Sequence, residues 1–591
     1  MVQIVNQKMG KKGKNMKKNK MMIMAKVLPI ALCTVLLAAC GDSGSDESAG
    51  TNENVGAGTD AGKESEEGDA AEESGTEDSA TLTVWVPESI RIEDWNTNDM
   101  TLWLEEQGGF DLNIVTLPAD GFSEKVNMSL SAGDIGDLPD VILGNFGDSA
   151  VWSWAQAGSV VSLTDYYNDP DKTPNIRKAY ERTGVDYTKQ ITSPDGNIYG
   201  VATLNQSYGN EYPDKLWIYK PWLDALDREV PTTTEEFREL LKLVSTTDLN
   251  GNGKADEIGM AGARLGGSGY GGYARVLMNA FEYTGDVCYR TVKDGVIGAA
   301  YTTDEWKEGL SYIKEMFSEN LILGQSLSMG DDEFKTLINS DEPVVFSFAY
   351  FAPDMIASGS DRANEYIAID TLAGPGGVNY ATYRPTVANI SLLVTANCKN
   401  PEAAFKLGDL MSSEYIGISQ RWGKEGVNWD YAENVDDMST FSEPLNGFEP
   451  SIATYDDASF WSGTEVANYS WRQTGPYVRQ YGIACGVVIP TEGGSGDPYT
   501  ENLNAAWILY QTSGHQPEEV IPKLILTEEE TKAIGEVESN LVKYVEECWA
   551  GFVTGSMDID GQWDGYLEEL DKIGLQEYLS VVQTAYDRMY K

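Results

Sequence analysis

Asp248, Asn250 and Asn252, followed by Gly253, place an oxygen-bearing side chain at every second position of a short loop. Oxygens at positions one, three and five, then a glycine for the sharp turn, are how an EF-hand-type loop wraps a calcium ion. Lys254 offers its backbone carbonyl at position seven, and Asp256 and Glu257 are placed to supply closing carboxylates. Position twelve, a glutamate in an EF-hand, is Gly259, so the loop is not a true EF-hand. The expected ion is structural calcium, pinning the loop at the end of a helix through Val244. The bland alternative is a solvated Asn-Gly turn.

Other chemistry has less to work with. His515 is the only histidine and lies in a polar stretch, Thr512 to Pro517, that reads as surface. One histidine cannot build an HExxH zinc site, and a Ser-His-Asp triad would rest wholly on it. Gly41-Asp42-Ser43-Gly44 resembles a serine-protease signature but sits in low-complexity sequence. There is no Walker loop and no GxSxG elbow. Glycoside hydrolysis needs only two placed carboxylates, and 93 acidic residues single out no pair. The cysteines beyond residue 40, Cys288, Cys398, Cys485 and Cys548, are widely spaced and form no CxxC pair. They read as buried free thiols, with a disulfide as the alternative.

These residues must be carried by an ordered part of the chain, and the first 80 residues are not it. Eight lysines and no acid precede Cys40. An apolar run from Val27 to Leu37 follows, too short to span a bilayer, and ends in Leu37-Ala38-Ala39-Cys40. A basic region, a short apolar region and small residues make a secretory signal. The terminal four residues resemble the bacterial lipobox, in which the cysteine is lipidated and becomes the mature N-terminus. The alternative is ordinary secretion. Residues 41–80 hold thirteen acids and one lysine with almost no apolar bulk, the composition of an extended tether. The formal charge of -50 argues against nucleic acid, anionic membrane surfaces and highly acidic ligands.

Order begins at Thr81. Leu82 to Val86 alternates as a strand and stops at Pro87; Met100 to Glu106 reads as a short helix and Leu112 to Val115 as a second strand. Strand, helix, strand suggests a parallel βαβ unit. Helix starts are marked by capping boxes at Thr233/Glu236, Thr302/Glu305 and Thr527/Glu530, and by Asn400 ahead of Pro401. Strands are expected at Val344 to Phe348 and Ile390 to Val394. No repeat of fixed period is present.

Several segments in this order resemble the extracellular solute-binding proteins of ABC importers, the large sugar-type members of Gram-positive bacteria. They are Gly133 to Ile142; Asp195-Gly196-Asn197-Ile198-Tyr199-Gly200; Leu216 to Phe237; Asn397 to Ala404; Trp422 to Trp429; and Phe552 to Gly555 with Trp563 to Tyr566. Lys220 departs from the pattern, standing where an arginine is usual. The resemblance implies an α/β fold of type II: two discontinuous lobes joined by a hinge, with ligand in the cleft between them. The expected division is a signal peptide at 1–39, a lipidated Cys40 and tether at 40–80, a first lobe at 81–205 with 386–430 returning to it, and a second lobe at 206–385 with 431–591. The family also closes its calcium loop with the residues at Asp256 and Glu257.

The resemblance further implies a lipid-anchored monomer on the outer face of the cytoplasmic membrane, capturing an oligosaccharide and docking on an ABC permease, without catalysis. A peptide or another small polar solute is the alternative ligand, and a secreted glycoside hydrolase the alternative activity. Sugar rings present apolar faces, so aromatic side chains near strand ends and glycine-rich loops are the candidates for ligand contact. They are Trp85, Trp152, Trp154, Tyr270, Tyr273, Tyr350, Phe351, Trp422, Trp461 and Trp471, with Arg472. For any one of them core packing is at least as good a reading.

Overall fold

The computed structural model describes residues 80–591, except 134, 264–271, 352–360, 445–447, 456–465 and 491–497. The leader, Cys40, Tyr270 and Trp461 lie outside the described residues. Strands are numbered along the chain. Strand β1 (Ala80–Pro87) begins one residue before the expected onset of order and buries Leu82, Val84 and Val86 on one face. It pairs in parallel along its whole length with β2 (Phe110–Leu117). The connecting helix Asp99–Gly108 starts at Asn98, whose side chain accepts the Met100 N–H. The expected βαβ unit is therefore present.

The first sheet has the order β14-β4-β11-β3-β1-β2, with β3 at Val141–Leu143, β4 at Val201–Asn205, β11 at Asn389–Val394 and β14 at Val478–Arg479. Only β11 runs against the other five. The Asp195 to Gly200 segment turns the chain into β4, with Gly196 at φ 84 and its N–H on the Ser193 carbonyl. The second sheet has the order β10-β5-β9-β6, with β5 at Lys215–Tyr219, β6 at Ile258–Met260, β9 at Val345–Tyr350 and β10 at Tyr366–Ile369. A hairpin joins β7 (Arg290–Lys293) to β8 (Val296–Ala299). A small sheet combines β12 (Trp429–Tyr431), β13 (Ile452–Thr454) and β15 (Val487–Val488).

Two separate hydrophobic cores follow this division. One holds residues from Leu82 to Leu204, then Ala388 to Ile416, then Trp471 and Val478. The other holds Leu216 to Leu372 and Ala506 to Val582. The chain therefore changes core between β4 and β5, again between β10 and β11, and a third time after β14. Residues 431–591 do not all pack with the second core. Trp471 and Val478 pack in the first core, and Trp422, Trp429, Ile452 and Ile483 form a small core of their own. The apolar pattern of short strands cannot show which sheet they join, because pairing is non-local.

The helix starts match the expected capping chemistry with one shift. Boxes at Thr233/Glu236 and Thr527/Glu530 are formed, and Asn400 caps through the Ala403 N–H. The third cap is Thr303, which accepts the Trp306 N–H, while Thr302 donates to the Ala299 carbonyl. Cys288, Cys398, Cys485 and Cys548 are free, and burial raises each thiol pKa.

Trp471 tests the revised grouping. It is fully buried, packs against Trp95 and donates its indole N–H to Thr101 Oγ1 at 2.9 Å. Trp471→Ala is expected to lose about 3–5 kcal/mol in urea unfolding. A loss under about 1 kcal/mol would remove it from the core.

Candidate functional site

Strand direction locates the site. In the first sheet, the C-terminal ends of β1, β2, β3, β4 and β14 share one edge with the start of β11. In the second, the ends of β6, β9 and β10 share an edge with the start of β5. Residues 206–214 leave the first of these edges and enter the second. Residues 370–388 make the return. The third passage leaves β14 at the same first edge. In open α/β sheets the ligand crevice lies outside the carboxyl ends of the strands, where connections diverge. The candidate cleft is the space between these two edges.

One ion pair joins the cores across it. Asp148 opens the helix Asp148–Gln156 just beyond β3, and Lys523 lies in a segment whose neighbours Ile521, Leu524 and Leu526 pack on the second core. Lys523 Nζ donates to Asp148 Oδ1 at 2.8 Å and to the Ala388 carbonyl at 2.7 Å. Burial raises the Asp148 carboxyl pKa, and the ammonium opposes that shift.

At the second edge stand Asp214 and Lys215, both buried. The Lys215 ammonium donates to the Tyr212 and Gly209 carbonyls and lies 4.4 Å from the Phe351 ring centroid. Burial lowers its pKa to about 7, with Asp214 opposing. Burial raises Asp214, opposed by Arg384, Arg275 and the Gly272 N–H. Asp214 Oδ1 has no hydrogen-bond partner among the described residues. A Cβ at position 272 would stand 2.5 Å from the carboxylate, so only glycine allows this approach. Neither residue stood out in the sequence. Among so many acids, only strand topology brings Asp214 to the cleft.

The expected ligand-contact residues divide. Trp85, Trp152 and Arg472 are part-exposed. Trp85 lies within β1, with Lys125 Nζ 5.9 Å from its ring centroid. Trp152 lies one helical turn after Asp148, and its indole N–H has no partner among the described residues. Arg472 adopts φ 47 and takes its backbone N–H to Ser470 Oγ. Tyr350 and Phe351 end β9 at the second edge but are nearly covered. Trp154, Tyr273, Trp422 and Trp471 are buried. Trp154 bonds Asn127, Tyr273 packs edge-on to Trp549, and Trp422 lies between the guanidiniums of Arg421 and Arg479. In this conformation these four offer core contacts. His515 is part-exposed, with its Nε2 3.3 Å from Asp370 Oδ2, which also accepts Ser513 Oγ.

The Asp248 loop lies at the other edge of the second sheet, between the helix Thr234–Val244 and the start of β6. It is closed on itself. Asp248 accepts from Gly251 and Gly253, Asn250 Oδ1 from Asn252, and Asn252 Oδ1 from Lys254. Asn252 Nδ2 donates to Asp256, and Asn250 Nδ2 reaches the Pro343 carbonyl just before β9. Glu257 is buried; its Oε1 accepts two backbone N–H groups, while Oε2 has no partner among the described residues. Among the described residues no three His, Cys, Asp or Glu side chains converge as a metal site. The loop's candidate oxygens come from three carboxylates, two amides and one backbone carbonyl, with Glu257 Oε2 unpartnered among the described residues. That donor set suits a hard cation taking mixed oxygen ligands.

Removing Lys523 would strand a buried carboxylate. Lys523→Met is expected to cost about 3 kcal/mol near neutral pH, in the range for breaking a buried pair. Asp148 has a raised folded-state pKa, which the substitution raises further. The ionised form then opposes folding, so the loss should grow as pH rises above about 4 and shrink below it. Urea unfolding across pH checks this. A loss independent of pH would mean that only the Ala388 hydrogen bond matters.

No family model matches the chain. It is 26% identical over 511 residues to the fructooligosaccharide ABC transporter substrate-binding protein FusA of Streptococcus pneumoniae, covering 82% of this chain and 86% of the relative. It is 23% identical over 279 residues to the lipoprotein LipO of Bacillus subtilis, covering 46% of this chain and 52% of that one. Among solved structures, an HMO-binding ABC-transporter-associated solute-binding protein of Bifidobacterium longum infantis matches with a TM-score of 0.70 and 23% identity, covering 87% of this chain and 100% of that one. FusA in complex with kestose matches with a TM-score of 0.63 and 22% identity over 86% of this chain and 99% of that one. Among the described residues no helix is long and apolar enough to cross a membrane. A sequence likeness across four-fifths of the chain to a substrate-binding protein of an ABC transporter, and a two-lobe fold shared with solved solute-binding proteins, make this chain similar to the extracellular solute-binding proteins of ABC importers.

Proposed function

We propose that the protein captures an uncharged oligosaccharide between its two lobes and delivers it to an ABC permease. The observation that carries this reading is the strand arrangement: all three chain crossings meet the edge of the first sheet where its parallel strands end, and two of them run directly to the edge of the second sheet where β6, β9 and β10 end. A ligand that touches both edges binds the closed form better and shifts the population toward it, so a permease can tell loaded from empty protein by shape. The edges carry what a sugar needs. Among the described residues Asp214 Oδ1 is an unpartnered acceptor and the Trp152 indole an unpartnered donor, while the part-exposed Trp85 offers an apolar ring face. The net charge of -50 favours an uncharged glycan over an acidic one. The likeness to FusA puts fructooligosaccharides first on the panel.

The lipobox-like Leu37 to Cys40 supports a lipid anchor at Cys40, with the acidic stretch to residue 80 as its tether. The Asp248 loop supports a bound calcium ion, with Asp248, Asn250, Asn252, the Lys254 carbonyl, Asp256 and Glu257 as ligands. It would tie the helix end to the sheet edge opposite the cleft, a stabilising role away from the cargo. A solved FusA structure is titled an EF-hand mutant, which is in keeping with such a loop in a relative.

Residues 81–591 with kestose, neutral milk oligosaccharides, galacturonan oligomers and peptides form the test panel in a thermal-shift assay. A bound glycan at a hundredfold excess over its Kd should stabilise by about 2.7 kcal/mol and be recovered intact. A flat response to every glycan would overturn the reading, and a response to peptides alone would replace the cargo. Chelator should separately lower the melting temperature, with calcium restoring it. An unchanged melting temperature in metal-free buffer would remove the ion from the loop.

A further inference from the structure

Each of the three crossings contributes a group to one buried carboxylate. Glu211 lies on the first crossing, 206–214, and is 5% exposed. Its Oε1 accepts the Thr386 hydroxyl of the second crossing at 2.8 Å and the Tyr481 hydroxyl of the third. Its backbone carbonyl accepts the Arg384 N–H, again from the second crossing, at 2.8 Å. Nearby, Gln206 Oε1 accepts the Tyr481 N–H, while Gln206 Nε2 reaches back to the Thr183 carbonyl of the first core. Burial raises the Glu211 carboxyl pKa, and the two hydroxyl donors oppose it. A buried carboxylate is stable only while such donors stay in place. The contacts within each core do not need this residue; what it joins are the segments that must flex when lobes move.

We propose that Glu211 is a positioning residue that couples the three crossings and thereby sets the resting angle between the lobes. The idea rests on the two-lobe capture reading. Hinge motion is absorbed by a few residues of the connecting segments. With Glu211 in place, the segments move as one unit; without it, they move independently and the unliganded protein samples wider openings. Apparent affinity scales with the fraction of protein that is competent to bind. Loss of Glu211 therefore changes affinity for every cargo by one common factor, whereas a residue that touches cargo changes the ranking among cargoes.

Small-angle scattering of unliganded residues 81–591 tests this without needing any glycan, so its failure is separable from failure of the glycan panel. Glu211→Ala and Tyr481→Phe should each give a larger radius of gyration than the wild type. Glu211→Gln, which can accept the same two hydroxyls, should restore it. Tyr366→Phe is the control: it deletes a buried hydroxyl bond to the Val345 carbonyl inside the second core. It should lower the melting temperature and leave the scattering unchanged. An unchanged radius in Tyr481→Phe and Glu211→Ala would overturn the proposal, as would an equal increase in Tyr366→Phe. Should Glu211→Ala not fold, Tyr481→Phe alone decides.

Discussion

The chain passes between its cores three times, and each passage must satisfy its backbone and side-chain polar groups in the narrow region between two sheets. The ladders of the two large sheets cannot do this, because the crossings belong to neither of those sheets. Side chains do it instead. Glu211, Gln206, Thr386 and Tyr481 bond to one another, and Lys215 caps two carbonyls of its own crossing. A packed cluster of Tyr212, Tyr383 and Tyr510 seals the adjoining space. Each core is thus assembled from distant stretches of sequence, and neither can form from one continuous segment.

This arrangement also disposes of charge in an unexpected way. The protein is strongly acidic, yet the cations around the cleft are held largely by neutral oxygens. Lys215 bonds to backbone carbonyls, and Arg479 bonds to the Gly417 carbonyl and to Asn205 and Gln473 side chains. Burial pulls the Arg479 pKa down to about 9, with the neighbouring Arg421 acting in the same sense. Lys523 is the exception, paired with Asp148 across the cores. Cations already engaged in this way make a poor receptor for an anionic sugar, whereas amide, carbonyl and indole groups suit hydroxyls.

Local signals were legible in the sequence where their cause is local. Alternation marked β1, and the Thr233 and Thr527 boxes and the Asn400 cap formed as their spacing implied. Thr303 displaced Thr302 as a cap because both can reach a helix start and only the backbone path decides between them. Non-local features were not legible. Nothing in Val478-Arg479 announces that it extends the first sheet, and the partnership of Lys523 with Asp148 spans 375 residues. Aromatic composition pointed to Trp154 and Trp471 as well as to Trp85 and Trp152, since an aromatic ring fits a core as well as it fits a sugar. The calcium-type spacing was legible because its candidate ligands lie in one short run.

Hydrogen exchange on the intact protein, with and without the cargo glycan, tests the central claim most directly. Closure of two lobes on a shared ligand predicts added protection at both sheet edges together. On the first edge this falls at Gly144 to Asp148 and Asn205 to Ser207; on the second, at Lys215 and Phe351, with the 206–214 crossing changing as it flexes. Protection confined to one sheet, or spread over a surface away from the strand ends, would contradict a cleft between the lobes.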